Sequence, residues 1–420
     1  MAEPWDDELG LVLVVSGGSG YNDLVSATPN AIFVMPVSDN GGGPSLGDIR
    51  SRLVRLAATA ATYAPPQSQL SRPGSRGALH ALLSYRLPIM GSMRTIKQEW
   101  MDIIEGKHRL WHGIDLEKRE CVRGFLVHFE SDVLHRAHRN FNFRGGSIGN
   151  FFLASMQRFF RSIQSAIFLF AALTGIPTRL PACQVLPAIN TNKTTTIAAR
   201  LENGGILVGQ CEISHPTGLS AQHGAESNFN LSPSRGGSPE LLPDFGRVSI
   251  HEAGLEPRLP PPLMDSRLNN SRMSASTAHS VDGSEWSDDE LSPGMQEDTS
   301  RSMPLESLGN LAFRDVTEAG PLPSPIRNVF YVNSYRNEIF PTPNPAYVRG
   351  LQCSRMLVYS CGSLWTSIVP CLALRGIGST VARSPTLEFK VLLLNSSHDR
   401  ETFGMNAVDF VQCVTQSSGC

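Results

Sequence analysis

The sequence predicts an α/β protein built on a doubly wound, mostly parallel sheet that a long disordered insertion interrupts. Three observations lead there. The run Leu11-Val12-Leu13-Val14-Val15 is apolar without alternation, as a strand must be when helices cover both faces of its sheet. Further runs of this kind recur with helical periodicity between them, and alternation of strand and helix marks a parallel sheet. Composition then changes from about Pro216 to Pro325, a span holding 13 of the chain's 29 prolines among Ser, Gly and Asn runs. No sustained apolar period survives there, so the span cannot bury enough surface to offset its ordering entropy.

Each element follows in order. After Leu11–Val15, a second run, Ile32-Phe33-Val34-Met35, leads through Pro36-Val37 to Asp39. Only 16 residues separate Val15 from Ile32, little room for a loop, a crossover helix and a return. A helix comes next, with Ile49, Leu53 and Leu56 on one stripe and Arg50, Arg52 and Arg55 mostly off it. A long helix is expected from Ser147 to about Leu173, stopped by Gly175 and Pro177. Beyond the insertion, Val329–Val332, Met356–Tyr359 and Lys390–Leu394 read as further buried strands. The organisation is therefore residues 1–215 and 326–420 as two parts of one α/β domain, with 216–325 inserted.

Composition narrows the function classes. A formal net charge of -2 provides no field for a polyanion and argues against nucleic acid as partner. The acidic start Met1–Gly10 has no basic n-region or apolar h-region. The longest strongly apolar stretch, Ser162–Thr178, holds 17 residues including Gln164, Gly175 and Pro177, short of a membrane span. The expectation is a soluble, cytoplasmic protein without a membrane partner. Eight cysteines without a C-x-x-C read as scattered buried thiols rather than a disulfide framework or zinc ribbon. The acidic centre of the insertion, Ser284-Glu285-Trp286-Ser287-Asp288-Asp289-Glu290, is either a solvated tether or a substrate for an acidophilic kinase.

In such sheets functional residues gather at the carboxyl ends of strands, and four loops belong there. Ser16-Gly17-Gly18-Ser19-Gly20 directly follows the first strand; its small residues let backbone N–H groups turn toward an anion. It lacks a P-loop lysine and reads G-G-x-G, not G-x-G-x-x-G, so a tight turn is the alternative. Ser38-Asp39-Asn40-Gly41-Gly42-Gly43 either holds Mg²⁺ on its carboxylate beside phosphate-facing amides or forms an Asx-type turn. Gly145-Gly146-Ser147-Ile148-Gly149-Asn150 opens the long helix, as N-cap or as anion loop. Cys361-Gly362-Ser363-Leu364-Trp365-Thr366-Ser367 again follows a strand. Four such loops in one chain make a phosphate-bearing ligand the leading expectation. Five of eleven histidines fall between 108 and 138, but the glycines around His108 and His112 indicate a loop rather than a helix presenting metal ligands.

Taken together the loops resemble the CofD/YvcK family (UPF0052), which includes 2-phospho-L-lactate transferase and the bacterial gluconeogenesis factor. The match runs in order through Val14–Gly20, Asp39–Gly42, Gly47-Asp48-Ile49-Arg50, Gly146–Asn150 and Val185–Asn190. It ends with Gly362–Pro370 and with Leu394-Asn395 before Glu401-Thr402. The Ser/Pro-rich insertion and Trp100–His112 are similar to the fungal branch. The resemblance implies a Rossmann-like fold that binds a nucleotide or nucleotide sugar across these loops. Gly17, Gly18, Ser19, Gly20, Asn40, Gly41 and Gly42 would meet phosphates, and Ser147, Asn150, Asn190, Gly362, Ser363 and Thr366 would line the same crevice. Asp39 and Asp48 are the candidate catalytic carboxylates, with Asp39 the candidate Mg²⁺ ligand. Asn40 stands where the bacterial pattern often carries a second aspartate. Activity divides along the family's branches: a metabolic regulator binding UDP-sugars, or an Mg²⁺-dependent transferase moving a phosphorylated group from a guanosine diphosphate-type carrier to an alcohol. A degenerate, non-binding scaffold is the third reading. Relatives continue beyond the point matching Asp409-Phe410-Val411, so the second part is expected to be C-terminally shortened.

Overall fold

The computed structural model describes residues 10–28, 30–37, 46–62, 74–135, 141–177, 183–191, 195–214 and 320–417, all within one compact unit. Along the chain, β1 (Val12–Val15) and β2 (Ala31–Met35) are followed by α1 (Gly47–Thr62), α2 (Ser75–Ser84), α3 (Met93–Ile104) and α4 (Leu116–His135). Next come α5 (Ile148–Phe160), α6 (Ile163–Thr174), β3 (Gln184–Pro187), β4 (Thr196–Leu201), β5 (Ile206–Val208) and α7 (Gln210–Ser214). The remainder is β6 (Ile326–Val332), β7 (Glu338–Ile339), α8 (Pro345–Cys353), β8 (Met356–Tyr359), α9 (Val369–Leu372), α10 (Ile377–Arg383), β9 (Phe389–Leu392) and α11 (Ala407–Ser417). The insertion expected at 216–325 and its kinase motif lie outside the described residues, except for Gly320–Pro325. There Ser324 accepts from the Asn203 amide and the Pro325 carbonyl from the Glu202 amide, so the segment docks on the β4–β5 turn.

The predicted sheet is present. Five strands pair in parallel in the order β3-β2-β1-β8-β9, and every residue of β1 and β2 is buried. Alternate residues point to opposite faces: Leu13 and Ile32 meet Gly350 of α8, whereas Phe33 lies under Arg52 of α1. Helices thus cover both faces. The short 16-residue crossover is managed by a 3₁₀ turn, Asn22–Ala27, whose Val25 is buried, as is the preceding Tyr21.

Three expectations need correction. Val329–Val332 is a strand, but as part of β6 it belongs to a separate antiparallel sheet of order β5-β4-β6-β7. The strand expected at Lys390–Leu394 is β9, and it is not buried: it closes one edge of the parallel sheet with Phe389 48% exposed. The single helix Ser147–Leu173 is two. Arg161 turns left-handed at φ 49°, and the Ser162 hydroxyl accepts from the Ser165 amide to start α6, the ordinary chemistry of an N-cap. Neither residue breaks an apolar period, so the pattern alone read through them.

No single helix among the described residues is long and apolar enough to cross a membrane. The apolar pair Leu364–Leu372 and Ile377–Arg383 bends by 73°, and its large apolar residues lie in the core.

Candidate functional site

In the strand order, β2 and β3 lie on one side of β1 while β8 and β9 lie on the other, so the order in which strands are added to the sheet reverses between β1 and β8. A crevice opens at such a point outside the carboxyl ends of the strands. The loops leaving these two strands meet there. A Cβ on Gly17 would stand 2.4 Å from Ser367 Oγ, and one on Gly20 2.7 Å from the Cys361 carbonyl. On Gly18 it would lie 2.5 Å from Asp48 Oδ1 and 2.8 Å from Asp48 Cα. Space, not backbone freedom, is why these positions are glycine: the loop is clamped between the first turn of α1 and the turn after β8.

Asp48 reaches back from α1 to accept the Gly18 N–H. Burial of its carboxyl pushes its pKa up to about 6, against the pull of that N–H and of the Arg52 charge. The Gly18 amide, expected to face a phosphate, faces Asp48 in this structure. Arg52 is the residue the helical stripe misplaced. It is fully buried, and its Nη2 donates to Ser16 Oγ at 2.8 Å and to the Gly17 carbonyl at 3.3 Å. Its guanidinium carbon sits 4.8 Å from the centroid of Phe33 and 5.5 Å from that of Tyr21, so aromatic faces take the place of water around the cation. Arg52 stands three residues after Ile49, spacing that permits a shared face. That was the available signal.

A pH dependence follows. The folded Asp48 holds its proton to about pH 6, whereas an unfolded aspartic acid releases it near pH 4. Between these values the folded state binds more protons, so stability falls as pH rises through the window. Asp48→Asn is expected to remove roughly 2–3 kcal/mol of that fall, at about 1.4 kcal/mol per pKa unit. Urea melts at pH 4.5 and 7.5 check it; equal pH dependence in both proteins would show that Asp48 is not buried as described.

After β8, Ser363 caps a π-helical turn, Leu364–Ile368, by accepting the Thr366 amide at 3.2 Å. Its hydroxyl donates to Glu401 Oε2 at 2.6 Å, and the Thr366 hydroxyl donates to Glu401 Oε1 at 3.2 Å. The Trp365 amide and the Ser214 hydroxyl also donate to this carboxyl group, which is 5% exposed. Burial, and then Asp399, raise the Glu401 pKa against these hydroxyls. Ser363 and Thr366, expected to line the crevice, therefore turn their hydroxyls toward Glu401. Glu401 stood in the matched motif without a role, because its partners come from α7 and the turn after β8.

Ser147 caps α5 by accepting the Asn150 amide at 3.4 Å. Gly149 packs closely on the Leu83 carbonyl and on the Arg50 side chain, where a Cβ would lie 2.4 Å and 3.2 Å away. The first turn of α1 thus links two parts of the site, Asp48 at the glycine loop and Arg50 at the start of α5. Ser19 and Asn190 are exposed, and among the described residues no hydrogen bond joins Asn190 to the glycine loop. Asp39, Asn40, Gly41 and Gly42 lie outside the described residues. No three His, Cys, Asp or Glu side chains among the described residues converge on a metal-sized site. His108 caps a short 3₁₀ turn, Arg109–Trp111, consistent with the loop expected there. Of the cysteines expected to be buried, Cys371 and Cys413 are, whereas Cys353 is exposed.

Similarity to known proteins covers nearly the whole chain. The model of the 2-phospho-L-lactate transferase CofD family matches residues 12–420. An uncharacterized protein of Saccharomyces cerevisiae, YNL011C, is 31% identical over 431 residues, spanning 97% of this chain and 82% of the yeast protein. Two solved structures of a Bacillus halodurans protein, one described as a UPF0052 family member, share 16% identity at TM-scores of 0.47 and 0.48. They cover 97% and 98% of this chain, and this chain covers 76% and 77% of theirs.

Proposed function

Because the chain belongs to the 2-phospho-L-lactate transferase CofD family, we propose that it binds a nucleotide or nucleotide sugar at the carboxyl edge of its parallel sheet. In this reading it acts as a cytoplasmic metabolic regulator similar to the gluconeogenesis factor. One observation carries the proposal: the Ser16–Gly20 loop leaves the central strand at the switch point, clamped by Asp48 and Ser367 and tied from beneath by Arg52. A loop held this way keeps its amide orientations before a ligand arrives, which lowers the ordering cost of binding. Binding is favoured over turnover because the polar side chains around the loop engage one another: Asp48 with Gly18, and Ser363 and Thr366 with Glu401.

Transfer is the second reading, favoured by Asp48 itself. A carboxyl pushed up to about 6 is suited to proton transfer near neutrality. It would take the proton of an acceptor alcohol as the alcohol oxygen bonds to phosphorus and the bond to the nucleotide phosphate breaks. Mg²⁺, with Asp39 as its carboxylate, would neutralise the developing charge.

A thermal-shift panel of UDP-sugars, GDP and GTP, with and without Mg²⁺, tests both. A bound ligand at a hundred times its Kd is expected to add about 2.7 kcal/mol, a rise of several degrees. Nucleotide recovered intact after incubation supports the regulator, and consumption supports the transferase. A cooperative melt unmoved by every nucleotide would leave the non-binding scaffold.

A further inference from the structure

Two arginines stand at the start of α5, and among the described residues neither forms an ion pair. The side chain of Arg50 packs against Gly149. Arg86 belongs to a short stretch paired backbone to backbone with Gly146–Ile148: the Leu87 amide donates to the Gly146 carbonyl and the Ile148 amide to the Tyr85 carbonyl, with Arg86 bridged to Ser147. Arg86 Nη1 donates to the Gly145 carbonyl at 3.2 Å. Among the described residues, no carboxylate lies within 4.0 Å of either guanidinium.

The local polar atoms are also incompletely satisfied. Arg50 Nε and Asn150 Oδ1 are both buried without a hydrogen-bond partner. Burial, and then the like charge of Arg86, bring the Arg50 pKa down to about 10. The N-terminal end of a helix carries partial positive charge, so it too disfavours cations. Two guanidinium groups without a carboxylate, in the place where a third positive field acts, form an arrangement whose charge an anion would balance, and such an anion would also accept from the unpartnered Arg50 Nε–H. Arginine forks suit a tetrahedral oxyanion in particular.

We propose that Arg50 and Arg86 form an anion subsite at the start of α5 that takes a phosphate-type oxyanion other than the nucleotide's own phosphates. The subsite deepens the nucleotide reading and rests on it for its role, since the first turn of α1 carries Asp48 to the glycine loop and Arg50 to this place. A second phosphorylated or carboxylated group of a bound metabolite would be held there.

The test is titration of inorganic phosphate, followed by ³¹P line broadening at ionic strength held constant with chloride. Full-length wild type, Arg86→Met, Arg50→Met and the exposed control Arg336→Met are compared. Wild type and Arg336→Met are expected to bind phosphate, and the two subsite variants to bind it about tenfold or more weakly, the worth of one charge-assisted hydrogen bond. Arg86 is exposed, so Arg86→Met keeps the test decisive even if Arg50→Met does not fold. Equal binding by Arg86→Met and wild type, no binding by wild type, or one-for-one displacement of phosphate by GDP would overturn the proposal. A protein that ignores every nucleotide yet loses phosphate in Arg86→Met would sink the nucleotide reading and leave the subsite standing.

Discussion

Gly18→Ala is expected to erase the nucleotide-dependent thermal shift and to lower the melting temperature by several degrees. The added methyl would fall 2.5 Å from Asp48 Oδ1 and 2.8 Å from Asp48 Cα. A carboxylate can rotate away, but a backbone atom in the first turn of α1 cannot move alone. That turn is held by the Arg50 amide on the Leu46 carbonyl at 2.8 Å and by the fully buried Ile49. The loop must therefore lift. Overpacking of this kind costs about 1–3 kcal/mol, and separating the Asp48 carboxyl from the Gly18 amide adds about 1–3 kcal/mol for a desolvated group left without its donor. Lifting the loop also loses the clamp that orients its amides. Melting curves of Gly18→Ala with and without nucleotide check this. A variant that melts as wild type does and keeps its full shift would show that the Asp48 contact does not organise the loop.

Trp100→Ala is expected to cost about 3–5 kcal/mol, the range for truncating a large buried aromatic residue. Trp100 is completely buried in a block of rings, stacked on Phe143 at 5.5 Å and meeting Phe151 and Phe129 edge-on at 5.3 and 6.0 Å. Its Nε1–H donates to Glu130 Oε2 at 2.7 Å, and Glu130 is buried as well. Truncation leaves both a cavity and a buried carboxyl without that donor. Trp100→Phe restores much of the volume but not the hydrogen bond, so it should fall between the two. Combining Trp100→Ala with Glu130→Gln should cost less than the sum of the separate changes, as expected for coupled groups. Urea midpoints of the four variants measure this, and strict additivity would show that the Glu130 contact contributes nothing. The same block reaches the site. Phe151 packs under Gly146, where a Cβ would lie 2.5 Å from its Cζ, so the start of α5 should loosen in Trp100→Ala.

Much of the site's backbone was legible beforehand. β1, β2 and β8 could be read because a strand covered on both faces needs consecutive apolar residues, and the glycine-rich segments directly after β1 and β8 marked the loops that meet at the switch point. What was not legible depends on partners distant in the chain. β6 reads as any buried strand until it pairs antiparallel with β4, and β9 is exposed because among the described residues no strand pairs with its outer edge. Arg52 looked like a solvent-facing helix cation until Phe33 and Tyr21 supplied its surroundings. Asp48 and Glu401 were carboxylates of unknown state until burial and their donors defined them.

The division has one physical origin. Periodicity and turn chemistry act between residues a few positions apart, so the sequence by itself determined the α/β class, the central strands and the place of the glycine loops. Desolvation and charge pairing depend on what the fold brings together across the whole chain. Only the tertiary structure decided which arginine lies buried beneath the loop, which amide Asp48 holds, and which two arginines stand at the start of α5.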